Sequence, residues 1–186
     1  MSNLTQHITL PIKSTMVKNI LLSFLGSIAI AVSAQISVPM FPVPMSMQSF
    51  AVLCVGSALG ARFGALAVIM YLAQGLAGLP VFAGGGFGMA ALLGTSGGFL
   101  FGFVAMAYIV GSFADKGWNK TASKAFVAMF LGHVALYSAG LLQLGTIVGW
   151  DKPVLAWGLT PFIVGDLVKM VIASALLPMV WNKFAK

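Results

Sequence analysis

The sequence contains no glutamate, one arginine and one cysteine. Without glutamate there can be no HExxH-type metalloprotease chemistry. Cys54, alone and flanked by apolar residues, offers neither a disulfide framework nor a thiolate metal site. No P-loop motif (Gly, four residues, then Gly-Lys-Ser/Thr) occurs, so the chain has no such site for hydrolysing ATP. Charge itself is scarce. Only 7% of the residues are charged, against about 25% in soluble domains.

In place of charge there is apolar surface: 60% of the 186 residues are hydrophobic. That composition makes the chain an integral membrane protein of all-α class. The formal net charge is +7, but the ten basic residues form no stripe along the chain. They read as topology signals and not as a nucleic-acid footprint.

A membrane crossing needs about 20 largely apolar residues, fewer where helices break inside protein. Six segments qualify in one membrane domain spanning 1–186, near 17–37, 46–60, 63–80, 88–113, 122–148 and 159–183. The second and third are short and separated only by "GARFG", which suggests a compact hairpin. Lys13 and Lys18 ahead of "ILLSFLGSIAIAV", followed by "SAQ", also fit a secretory signal ending at Ala34. The rest of the chain is equally apolar, so a first membrane span is the simpler reading. Alternating crossings put Lys13, Lys18, Arg62, Lys116, Lys120, Lys124, Lys183 and Lys186 on one side, with Lys152 opposite. By the positive-inside rule that side is the cytoplasm, and both termini lie there.

The outward linkers are long and almost uncharged. "QISVPMFPVPMSMQ" holds three prolines and cannot be helical throughout. "GLAGLPVFAGGGFGM" holds a run of glycines that permits close backbone approach. Their apolar side chains, Phe41, Phe82 and Phe87 among them, either lie against the membrane surface or fold inward over an apolar pocket.

Asp166 and Lys169 stand inside the last apolar segment, three residues apart and so on one helix face. Thr160-Pro161 looks like a helix start, with a hydroxyl N-cap and proline in the first turn. Both charges then fall in the outer half of the membrane. Each costs roughly 2.5–3.5 kcal/mol in that setting, so each needs a partner. They either pair with each other or share a ligand that has N–H donors in one place and an acid in another.

Together "QISVPMFPVPMSMQ", "GLAGLPVFAGGGFGMAALLGTSGGFLFGF" and "PFIVGDLVK" resemble the BioY family, the biotin-binding S components of energy-coupling factor transporters. The resemblance implies a six-helix fold with cytoplasmic termini in the cytoplasmic (inner) membrane, and biotin as transported ligand with no cofactor. Asp166 would accept from the ureido N–H groups and Lys169 would bind the carboxylate. Because the two residues start only about 4.5 Å apart along the helix, the side chains are expected to diverge. Phe41, Phe82, Gly84, Phe87, Thr95 and Ser96 complete the expected binding set. The family stretch Gly-Pro-Thr-Gly-Gly-Tyr reads Gly94-Thr95-Ser96-Gly97-Gly98-Phe99 here, which leaves Thr95 and Ser96 as the local polar candidates.

The first span carries faces of small residues, Ser27 with Ala31 and Ala29 with Ser33, which suit either packing within the bundle or docking of another membrane protein. The resemblance implies docking, on a transmembrane coupling subunit driven by two ATP-binding cassette ATPases. A rival reading takes "GTSG" at 94–97 with His133 as a rhomboid-type intramembrane serine protease, Ser96 being the nucleophile and His133 its base. His133 and Tyr137 could also line a pocket.

Overall fold

The computed structural model describes residues 14–184, with side chains as far as Val180. Lys13 and Lys186, used above to orient the chain, lie outside the described residues, as does the side chain of Lys183. The chain order is α1 (Thr15–Gln35), β1 (Ser37–Val38), β2 (Met45–Ser46), α2 (Gln48–Leu76), α3 (Gly88–Leu93), α4 (Gly97–Asp115), α5 (Ala122–Val148), α6 (Val154–Gly158) and α7 (Thr160–Phe184). Short 3₁₀ turns occupy Ala83–Gly85 and Trp118–Lys120.

Five helices among the described residues are long and apolar enough to cross a membrane. The expectation of six treats 46–60 and 63–80 separately, where the structure has the single element α2. That element nevertheless doubles back. Gly60 adopts φ 79° and ψ −179°, a conformation essentially confined to glycine. Beyond it the two arms run side by side: a Cβ on Gly64 would lie 2.8 Å from the Gly56 Cα. Near the far ends, Gln48 donates through Nε2 to the Tyr71 hydroxyl. In a straight helix those residues would be about 34 Å apart.

The bend is tied to the end of α4, where Asp115 Oδ2 accepts the Ala61 N–H at 3.1 Å. Lys116, Lys120 and Lys124 are exposed beside it, and Arg62 is exposed at the bend. Ser23 of α1 reaches the Phe63 carbonyl at 3.0 Å, so the start of α1 joins the same basic end of the bundle.

The helix expected over 88–113 is interrupted. Residues 94–96 leave helical geometry between α3 and α4, and Gln143 of α5 holds the gap open. Its Nε2 donates to the carbonyls of Leu92 at 2.8 Å and Gly94 at 2.9 Å, replacing helix hydrogen bonds lost at the break. At the start of α7, Thr160 does not cap as expected. Its hydroxyl donates back to the Leu155 carbonyl at 3.3 Å and so ties α6 to α7.

The core lies where α2, α4 and α5 meet, around the fully buried Leu53, Tyr71, Met106, Met129 and Leu144. Outward rows on α1 (Leu21, Leu25, Ile28, Val32) and α7 (Val164, Val168, Val171) stay exposed. These rows are apolar because their solvent is lipid and not water.

Candidate functional site

At the end of the bundle away from the basic turns, three pieces of irregular chain converge. Ser37 pairs with Ser46 and Val38 with Met45 in a small antiparallel hairpin, so the proline-rich linker becomes a tight cap. The glycine-rich loop lies beside it. Gly75 matters to that placement, because a Cβ there would run into the Phe82 ring. Phe82 thereby reaches a buried position, with its ring edge-on to Tyr71 at 5.4 Å between centroids. The third piece is the break at Gly94–Ser96, pinned to the hairpin where the Thr95 hydroxyl donates to the Pro42 carbonyl at 2.7 Å.

Beneath them is a cavity of about 220 Å³, far more than the roughly 10–15 Å³ that holds one water. The hairpin and the start of α2 contribute Val43, Ser46, Gln48 and Ser49. Phe82 and Gly86 come from the loop, Thr95, Ser96, Phe99 and Phe103 from the α3–α4 break and α4. Tyr137 of α5 and Phe162, Asp166 and Lys169 of α7 close it. Aromatic walls with a few convergent polar groups are the usual makeup of a small-molecule site.

Asp166 and Lys169 do not diverge. Lys169 Nζ lies 2.9 Å from Asp166 Oδ1, which corrects the expectation that the two side chains diverge. The same ammonium donates to the Ser46 carbonyl at 2.7 Å and to Ser49 Oγ at 3.0 Å. Its three N–H donors are therefore matched by three acceptors. Asp166 Oδ1 also accepts from the Ser49 hydroxyl at 3.0 Å, and Oδ2 accepts from the Tyr137 hydroxyl at 2.5 Å. Such saturation is what lets an ion pair persist in the bundle, where an unpaired charge would be strongly destabilising.

The cavity brings together Asp166, Lys169, Phe82, Thr95 and Ser96. Gly84 is absent from the lining, though its neighbours Ala83 and Gly86 are there. Phe41 projects from the hairpin tip at 88% exposure, and Phe87 is also largely exposed. Ser46, Ser49, Phe99 and Phe162 were not singled out from the sequence. Ser49 could not be, since its partners lie more than a hundred residues away and leave no local pattern.

His133 is buried behind Asp166, on the side away from the cavity. Its Nδ1 lies 3.0 Å from the Met129 carbonyl and its Nε2 3.6 Å from Asp166 Oδ2. Both ring nitrogens thus face groups other than Ser96, and the nucleophile–base pair of a rhomboid-type protease is not assembled. A second, apolar cleft opens between α5 and α7, with Phe130, Val134 and Leu167 on its walls. Tyr137 and Asp166 separate it from the first.

On α1 the small residues divide. Ser27 is fully buried and accepts from Gln74 Nε2 at 2.9 Å, so it belongs to the interior. Ala31 packs against the core. Ala29 is exposed and Ser33 partly so, and these two face outward.

A protein-family model described as the BioY family matches residues 3–186. The "Biotin transporter BioY" of Thermotoga maritima is 35% identical over 147 residues, covering 79% of this chain and 86% of its own. The "Biotin transporter BioY2" of Lactococcus lactis is 34% identical over 164 residues, covering 87% and 89%. Among solved structures, the crystal structure of the S-component for biotin from an ECF-type ABC transporter superposes with a TM-score of 0.79. It does so at 24% identity, over 93% of this chain and 95% of that one, and so shares the fold. The chain belongs to the BioY family, a family of multi-pass membrane transporters and not of enzymes.

Proposed function

We propose that this protein is the biotin-binding S component of an energy-coupling factor transporter and mediates biotin uptake. The observation that carries the reading is the side-by-side placement of the Asp166 carboxylate and the Lys169 ammonium at the wall of an aromatic cavity. A cyclic urea presents an N–H donor and a carbonyl acceptor along one edge. An acceptor and a donor 2.9 Å apart complement that edge: Asp166, whose Oδ2 accepts only from Tyr137, takes the ureido N–H, and Lys169 turns one N–H from its present acceptors to the ureido oxygen. This replaces the assignment of Lys169 to the ligand's acid.

Phe82, Phe99 and Phe162 would then flank the thiophane ring. The aliphatic arm would run toward Thr95 and Ser96, where the Ser96 hydroxyl and the backbone N–H groups at the start of α4 are offered to the carboxylate, the Thr95 O–H being held by the Pro42 carbonyl. Phe41, Gly84 and Phe87 belong to the movable cover, closing over the ligand when it is bound. Titration of biotin into the purified protein tests the reading, with Asp166→Asn as the diagnostic variant.

Concentrative uptake needs energy from elsewhere, because the chain has no P-loop. A transmembrane coupling subunit with two ATP-binding cassette ATPases would supply it, docking on the outward face of α1 at Ala29 and Ser33. The topology that goes with this function has six crossings, counting the two arms of α2 separately, and cytoplasmic termini. The exposed basic residues gathered near the Gly60 bend support that orientation in the cytoplasmic membrane.

A further inference from the structure

The cavity has a charge-balance problem. Asp166 and Lys169 neutralise each other, and all three Lys169 donors are already engaged. Among the described residues no other charged side chain lines the cavity. Ser96 can donate a hydrogen bond to an acid but carries no full charge, and the Thr95 O–H is already given to the Pro42 carbonyl. An anionic ligand would enter a buried site that is already neutral and leave it one negative charge in excess. Proteins relieve such an excess by moving a proton.

His133 stands where that proton can be held. Its Nδ1 faces the Met129 carbonyl at 3.0 Å, and a carbonyl can only accept, so the neutral ring keeps its one proton there. Nε2 is then a bare acceptor. It is buried without a hydrogen-bond partner and lies 3.6 Å from Asp166 Oδ2, one acceptor facing another. A second proton on the ring turns this mismatch into an N–H directed at the carboxylate, and adds the missing positive charge next to the site.

We propose that binding of an anionic ligand is coupled to uptake of one proton by His133, a positioning residue that acts through Asp166. The proposal rests on the biotin reading, since the ligand's carboxylate supplies the charge to be balanced. The groups facing His133 are Asp166 and Lys169 from α7, and Tyr137 one turn along α5. From α4, Met106 and Val110 pack at the adjacent Gly132. The titratable residues of α4, Tyr108 and Asp115, are respectively exposed and held at the Gly60 bend. The bound state holds one proton more than the free state, so affinity falls as pH rises, by up to about tenfold per pH unit where the coupling is complete.

Calorimetry of the full chain in detergent, repeated in buffers of different ionisation enthalpy, counts the protons. Wild-type protein is expected to take up about one proton per biotin bound and none with biotin amide, which keeps the rings but carries no charge. His133→Gln, checked for folding by its elution profile, is expected to lose the uptake with biotin. Equal proton counts for acid and amide in the wild type would overturn the proposal, even if the variant did not fold. So would an uptake that persists in His133→Gln. In both cases biotin binding itself would stand. If wild-type protein bound neither ligand, the biotin reading would fall, and this proposal with it.

Discussion

The Lys169 ammonium and the Asp166 carboxylate meet at 2.9 Å, and the Ser49 hydroxyl stands 3.0 Å from each. Two charges from one face of α7 are thus clamped by a hydroxyl from the start of α2. The arrangement ties the hairpin end of α2 to α7, and it gives the cavity a donor and an acceptor of fixed relative position.

Tyr137 holds the other carboxylate oxygen at 2.5 Å. A hydrogen bond to a charged group contributes about 1.5–3 kcal/mol, and this one is already made without ligand, so Tyr137→Phe is expected to destabilise the fold by about that amount. A lower thermal unfolding midpoint of the variant in detergent checks this.

Gly60 carries the reversal of α2. Any other residue in its conformation costs about 1–3 kcal/mol, so Gly60→Ala is expected to lower the thermal unfolding midpoint in detergent. The same substitution at an ordinary helical position would not. The effect should be on stability first, because the bend lies at the opposite end of the bundle from the cavity.

The hairpin tip is expected to be the part that responds to ligand. Phe41 is exposed while Val43, two residues on, is buried over the cavity. Hydrogen exchange at the amides of Met40, Phe41 and Val43 should slow when biotin is present. Unchanged exchange would make the hairpin a fixed cap with no closing movement.

Ala29 is exposed on α1, on the face opposite the buried Ser27. Ala29→Leu is expected to abolish biotin uptake by cells that contain the coupling module and to leave the affinity of the isolated subunit within about twofold, as usual for a surface change. Ala31→Leu is the less selective variant, since Ala31 packs against the core.

Much of this was legible in the sequence, and the parts that were not share a cause. Membrane insertion, the helical bundle and the importance of Asp166 and Lys169 follow from hydropathy and the cost of buried charge. The proline-rich linker announced itself as non-helical, and "GARFG" as a reversal. The break at Gly94–Ser96 was hidden, because apolar residues run straight through it and its support comes from Gln143 on another helix. The convergence of Asp166 and Lys169 was also hidden. Helix spacing fixes where side chains start, but Ser46 and Ser49, brought in from α2, decide where they end. Ser27 shows the same limit. Small residues mark a close-packed face, but not whether the neighbour belongs to the same chain.

The central claim is that the Asp166–Lys169 pair recognises biotin, and a biotin titration of wild-type and Asp166→Asn protein in the same detergent tests it most directly. The variant removes the acceptor charge from the urea and leaves Lys169 without its counter-ion. Saturable binding by the wild type, weakened at least about tenfold in the folded variant, is the predicted result. Equal affinity in the two proteins, or no biotin binding by the wild type, would contradict the account.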